Sequence, residues 1–148
     1  MGVEKVIANL LRTARGDLDD ARRLAASTSR NAIYLCEQAA EKVILAVVAS
    51  EGQHGNIRHM LDKLVDLVPE ENPLKSRLRA IQDLGAFATS YRYPSSSGNM
   101  KPPPDRSDFD RHAANVEIAI TEAVAAFQVD LSKPNAPAGR TTPFRHAP

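Results

Sequence analysis

Tryptophan is absent from this chain of 148 residues and cysteine occurs once, which excludes an internal disulfide framework. The single thiol, Cys36, falls within an apolar helical pattern, and a reducing, cytoplasmic setting is the expectation. Long apolar runs are missing too. The longest, Val43 to Ala49, has seven residues, against the roughly 20 that a membrane-spanning helix needs, so no membrane association is expected. The beginning of the chain lacks the basic, apolar and small-residue order of a secretory signal. Val6 stands where a myristoylation motif requires Ser or Thr. Excess charge is scarce as well: a net charge of +1 gives no global electrostatic reason to bind nucleic acid. Only the end is uneven. After Asp130 no acid follows, while Lys133, Arg140 and Arg145 remain, a weak footprint for phosphate and an ordinary one for a surface tail. Phosphate-cradling Gly-x-x-x-x-Gly-Lys-Ser/Thr loops and nucleophile elbows are also absent.

What is present, 43% hydrophobic and 25% charged residues, is the mix of one globular domain with a core. From Val3 to Ala26, Ile7, Leu10, Leu11, Ala14, Leu18, Ala21 and Ala25 recur at helical spacing. Gly16 leaves a kink open in that segment. A second helix, about Arg30 to Glu51, gathers Ile33, Cys36, Ala40, Val43, Ile44 and Val47 on a wide apolar sector, with Arg30, Tyr34, Glu37, Gln38, Glu41 and Lys42 opposite. Gly52 and Gly55 close it. A shorter helix, Ile57 to Leu67, offers Ile57, Met60, Leu61, Leu64 and Leu67 before Pro69 stops it. A fourth is expected from Leu74 to about Tyr91, with Leu78, Ile81, Leu84, Gly85 and Ala88 on one face and Pro94 ending it. The last begins near Ser107, the candidate cap of an acidic first turn, and runs to about Leu131 with a stripe of Ala113, Val116, Ile120, Ala123, Val124 and Phe127. Nothing alternates as a strand does. The expected fold is all-α, a mostly antiparallel up-and-down bundle of four long helices plus one short helix over residues 1–131. Residues 132–148, with four prolines and no usable period, are expected to form a flexible tail.

Three pieces carry a family resemblance. The second helix reads "NAIYLCEQAAEKVILAVV", with Gln-Ala-x-Glu-Lys before an apolar end. "RHMLDKLV" places His59 in a His-x-Leu helix, and "AFATSYRYP" ends a long helix with Tyr91, Arg92, Tyr93 and Pro94. In this order and spacing, over about residues 5 to 130, they resemble the HEPN family (higher eukaryotes and prokaryotes nucleotide-binding domain). The resemblance implies a small helical bundle, often a homodimer, in many cases encoded beside a separate minimal nucleotidyltransferase. Some branches are metal-independent RNase toxins carrying Arg-x4–6-His, usually with Asn, Asp or His directly after the Arg. This chain lacks the Gly-Ser and paired-Asp pattern of a nucleotidyltransferase, so that activity would reside in another protein.

RNase chemistry would require His to move the proton of a ribose 2′-hydroxyl and Arg to stabilise the phosphorane charge. Arg106-x5-His112 has the spacing, at a loop feeding a helix start. Four histidines and thirteen arginines in 148 residues predict about one accidental match, and motif strings carry that risk generally. A second match, Arg140-x5-His146, falls in the expected tail, and Ser107 follows Arg106 where the RNase branches prefer Asn, Asp or His. Arg92 has no His within reach, and neither has Arg30, although Asn31 follows it.

Other candidates are ligand contacts. Arg92 between Tyr91 and Tyr93 could pair with phosphate while a tyrosine stacks on a base; the plainer alternative is that the tyrosines pack the bundle end. Arg30, Tyr34, Gln38 and Glu41 could line a groove or a dimer face, or simply form the wet side of their helix. His54, His59 and Asp62 lack the spacing of a metal site, and neither metal nor cofactor is expected. The leading expectation is a non-catalytic HEPN-type binding module: a homodimer associating with nucleotide, RNA or a nucleotidyltransferase partner. Its rivals are an RNase using Arg106 and His112, and a purely structural helical adaptor.

Overall fold

The computed structural model describes residues 2–54, 60–87 and 93–142, and among them every regular element is helical. In chain order these are α1 (Val3–Ala26), α2 (Asn31–Ser50), α3 (Leu61–Asp66), α4 (Lys75–Arg79), a 3-10 segment (Gln82–Ala86) and α5 (Arg106–Phe127). The all-α bundle follows from the helical spacing of apolar residues. The most extensive packing is between α1 and α2, and α5 lies against both. Alanines permit this close approach: Ala14, Ala21 and Ala25 of α1, and Ala32, Ala39, Ala40 and Ala46 of α2, are all buried. Larger side chains, among them Ile7, Leu11, Leu18, Ile33, Ile44, Ile120 and Phe127, fill the remaining core. The short elements α3, α4 and the 3-10 segment cover another side of the bundle, α3 and the 3-10 segment against α2 and α4 against α5.

α2 is the central helix, and its polar side is not solvated as its pattern suggests. Glu37 is fully buried and Glu41 is 6% exposed. A helix surrounded by neighbours must bury part of its polar side, and buried carboxylates persist only where they find partners. Gln38 Nε2 donates to Glu37 Oε1 at 2.8 Å.

Three helix ends close alike. After α1, Thr28 N donates to Ala25 O and Ser29 N to Leu24 O; after α2, Gly52 N reaches Ala49 O and Gln53 N reaches Val48 O; after α5, Gln128 N reaches Ala125 O and Val129 N reaches Val124 O. Each pair is a Schellman closure, which needs a left-handed residue. Gly52 supplies it at φ +74°, whereas Thr28 at 59° and Gln128 at 54° adopt it against the preference of residues with a Cβ.

Several local expectations change. α1 runs unbroken through Gly16, where an added Cβ would meet nothing within 4 Å. In and just after α3 the buried residues are Leu61, Leu64, Val65 and Val68, while Met60 and Leu67 are exposed. Both the expected and the observed sets have helical spacing, and the observed one buries two valines in place of Met60 and Leu67. Gly55, Ile57 and Ala88 lie outside the described residues. The long fourth helix is instead broken into α4 and the 3-10 segment. Leu78, Ile81 and Leu84 recur every three residues and are all buried; a 3-10 repeat aligns such positions, whereas an α-helix fans them out. The cap of α5 is Asp105 rather than Ser107: its Oδ1 accepts from Asp108 N at 2.9 Å.

Residues 138–140 are hydrogen-bonded back to the bundle. Ala138 N donates to Glu4 O, Gly139 N to Gln128 O and Arg140 N to Phe127 O, at 3.0, 3.0 and 3.1 Å. Ala138 is buried. Arg12 donates to Asp130 O at 2.9 Å and Asn9 to Asn135 Oδ1 at 3.2 Å. The segment thus straps the start of α1 to the end of α5.

Ion pairs complete the fastening. Glu117 of α5 accepts from both terminal nitrogens of Arg15, at 2.5 and 2.8 Å, and from Arg22 at 2.6 Å. Arg77 of α4 pairs in fork geometry with Glu122, both contacts being 3.0 Å. Lys42 of α2 reaches Asp17 of α1.

Candidate functional site

The start of α5 is built by its sequence. Pro102, Pro103 and Pro104 cannot extend a helix backward, Asp105 caps it, and Arg106 occupies its first turn. Asp105 also accepts from Ser107 Oγ at 2.9 Å, and these hydrogen bonds, first among them that from the Asp108 amide, hold its carboxyl below the usual range. Arg106 is exposed and gives its Nε to Asp110 at 2.9 Å.

A cleft of about 260 Å³ separates this start from the α1–α2 turn. Ala32, Ile33 and Phe109 form its floor, Pro103 and Pro104 one wall, and Thr28 and Ser29 the facing rim. Asp105 and Arg106 stand at its polar edge. Beside it, Arg30 Nη1 donates to Lys101 O at 2.9 Å, fastening the connector to the start of α2. The cleft residues Thr28, Ser29, Pro103 and Pro104 are not among the sequence candidates. The proline run before Asp105 is the signal that could have indicated them, since it predicts a stiff wall beside a helix start.

His112 belongs to a different environment. It is half-buried, with its ring edge-to-face on Phe87, centroids 5.4 Å apart at 70°. Burial and the neighbouring Arg111 charge lower its pKa, against Asp108 and Asp83, which raise it. Arg106 and His112 both lie in α5, where six residues correspond to about 120° around the axis and about 9 Å along it. Arg106 edges the cleft, whereas His112 faces the 3-10 segment and Phe87.

Of the second-helix candidates, Arg30, Tyr34 and Gln38 are half-buried and Glu41 is buried. Tyr93 is exposed. Tyr91 and Arg92, like His59, Arg145 and His146, lie outside the described residues. The pKa of the Cys36 thiol is pushed up to about 12, chiefly by burial, so the group stays protonated at neutral pH. Among the described residues, no group of three or more His, Cys, Asp or Glu could hold a metal ion, and no helix is long and apolar enough to cross a membrane.

A family model described as HEPN domain matches residues 7–130. No curated protein and no solved structure matches significantly.

Proposed function

The chain belongs to the HEPN domain family, and from that premise we propose that it acts as a non-catalytic binding module for nucleotide, RNA or a separately encoded nucleotidyltransferase. One observation carries the reading. Arg106 and His112, the pair with RNase spacing inside the bundle, diverge around α5: the Arg is ion-paired at an exposed edge and the His is packed on Phe87. This divergence supports a binding role, because acid–base catalysis of transesterification needs both groups within reach of one phosphate. The cleft beside Arg106 supports a binding role independently of that divergence. A homodimer is part of the proposal, and Val3 and Val6, exposed on α1, supply apolar surface suited to it.

The RNase reading keeps one specific support, the spacing of Arg106 and His112 within one helix. RNA cleavage without added metal, compared between wild type and His112→Ala, separates the two. Folded wild-type protein that leaves RNA intact, yet binds a nucleotide, RNA or its partner in calorimetry, supports the module. Cleavage lost only in His112→Ala overturns it.

A further inference from the structure

We propose that the cleft between the α1–α2 turn and the start of α5 is a binding site for a small molecule with a flat apolar body and one anionic group. The proposal rests on the binding-module reading and adds the class of ligand. Its volume, about 260 Å³, lies just below the roughly 300–1,000 Å³ of pockets for drug-sized ligands. It therefore takes a ring system of one or two fused rings rather than a length of nucleic-acid strand.

The walls select for such a body. Ala32, Ile33 and Phe109 are nearly fully buried and present apolar surface, and Pro103 and Pro104 add rigid faces whose backbone nitrogens carry no hydrogen. The floor thus offers little to a polar ligand. Thr28 and Ser29 of the α1–α2 turn complete the lining.

The polar edge sets the charge. Asp105 Oδ1 is committed to the Asp108 amide and to Ser107. Arg106 uses Nε for Asp110, which leaves its terminal nitrogens to receive a carboxylate or phosphate in fork geometry. Arg30, whose guanidinium holds the Lys101 carbonyl, adjoins the cleft residue Ser29 in the chain. Carboxylate and phosphate ligands share this chemistry.

The test is a titration of the intact protein, followed by amide NMR, with 2-naphthoate, with uncharged 2-naphthamide and with inorganic phosphate. Naphthoate should move the amides of Thr28, Ser29 and Ala32, the amide analogue should bind about tenfold more weakly, and phosphate alone should leave these amides in place. Arg106→Ala, a surface change, should weaken naphthoate about tenfold and leave naphthamide unaffected. Ala32→Leu should fill the floor and abolish both shifts; if that variant does not fold, Arg106→Ala decides. A titration in which naphthoate moves no cleft amide overturns the proposal, as does equal binding of naphthoate by wild type and Arg106→Ala. Retained nucleotide or partner binding alongside either result would remove the cleft assignment alone, whereas RNA cleavage would remove the reading beneath it.

Discussion

Replacing Glu117 with Gln should loosen the attachment of α5 to α1 in a pH-dependent way. Hydrogen bonding from Arg15, then from Arg22, together with their charges, brings the Glu117 carboxyl from 4.5 to about 2 despite partial burial. A folded-state pKa below the unfolded one contributes stability that is fully present above about pH 4.5 and is lost as pH falls toward 2. The shift of about 2.5 units corresponds to a ceiling of about 3.4 kcal/mol at 1.36 kcal/mol per unit. The side chain is 33% exposed, and solvent screening reduces that ceiling to about 1–2 kcal/mol. An amide in this place would keep the shape, accept fewer charge-assisted bonds and leave two guanidinium groups without their shared counter-charge. Urea unfolding of wild type and Glu117→Gln at pH 7, 5, 4 and 3.5 is the assay. The variant should be about 1–2 kcal/mol less stable at pH 7, a fall in Tm of about 3–6 °C for a chain of this size, and the gap should narrow below pH 4.5. A gap that stays constant down to pH 3.5, or one under about 0.3 kcal/mol at pH 7, would refute the assignment of this clamp.

Two further outcomes follow from the helices and their strap. Gly16→Ala, at a helical site with open space around the new Cβ, should raise stability by about 0.5–1 kcal/mol through helix propensity and a less flexible unfolded chain; a lower urea midpoint would show that α1 bends there. Truncation after Leu131 removes the backbone hydrogen bonds from Ala138, Gly139 and Arg140 to Glu4, Gln128 and Phe127, and the buried Ala138, and should cost about 1–3 kcal/mol after the entropy of ordering the strap is set against them. Faster amide exchange should then appear at the start of α1, and an unchanged exchange profile would contradict the strap.

How far the chain could be read from its residues differs by region. In α1, α2 and α5 the apolar spacing runs long enough to fix both the helix and its buried face, and α1 starts and stops where the pattern does. Between residues 60 and 87 the segments are short. There Leu78, Ile81 and Leu84 fit two helical repeats equally, and only packing against the rest of the bundle chose the tighter one. The strap was illegible for a related reason: Pro134, Pro137 and Gly139 exclude a helix, but nothing local states that Ala138 will pair with Glu4, far away in the chain. At the candidate site, Arg106 and His112 were both visible as chemistry. Their surroundings were not, because the contact of His112 with Phe87 and the place of Arg106 beside Thr28 and Ser29 depend on residues distant in sequence.

The sequence by itself determined the class of the fold, the main helices and the family, since periodicity and ordered motifs are properties of the chain. The tertiary structure alone decided that Glu37 and Glu41 are buried, that residues 138–140 are bonded to the bundle, and that a cleft opens between the α1–α2 turn and α5. Each of these depends on residues distant in sequence meeting in space. Burial, long-range hydrogen bonds and cavities arise from such meetings, and local preference cannot specify them.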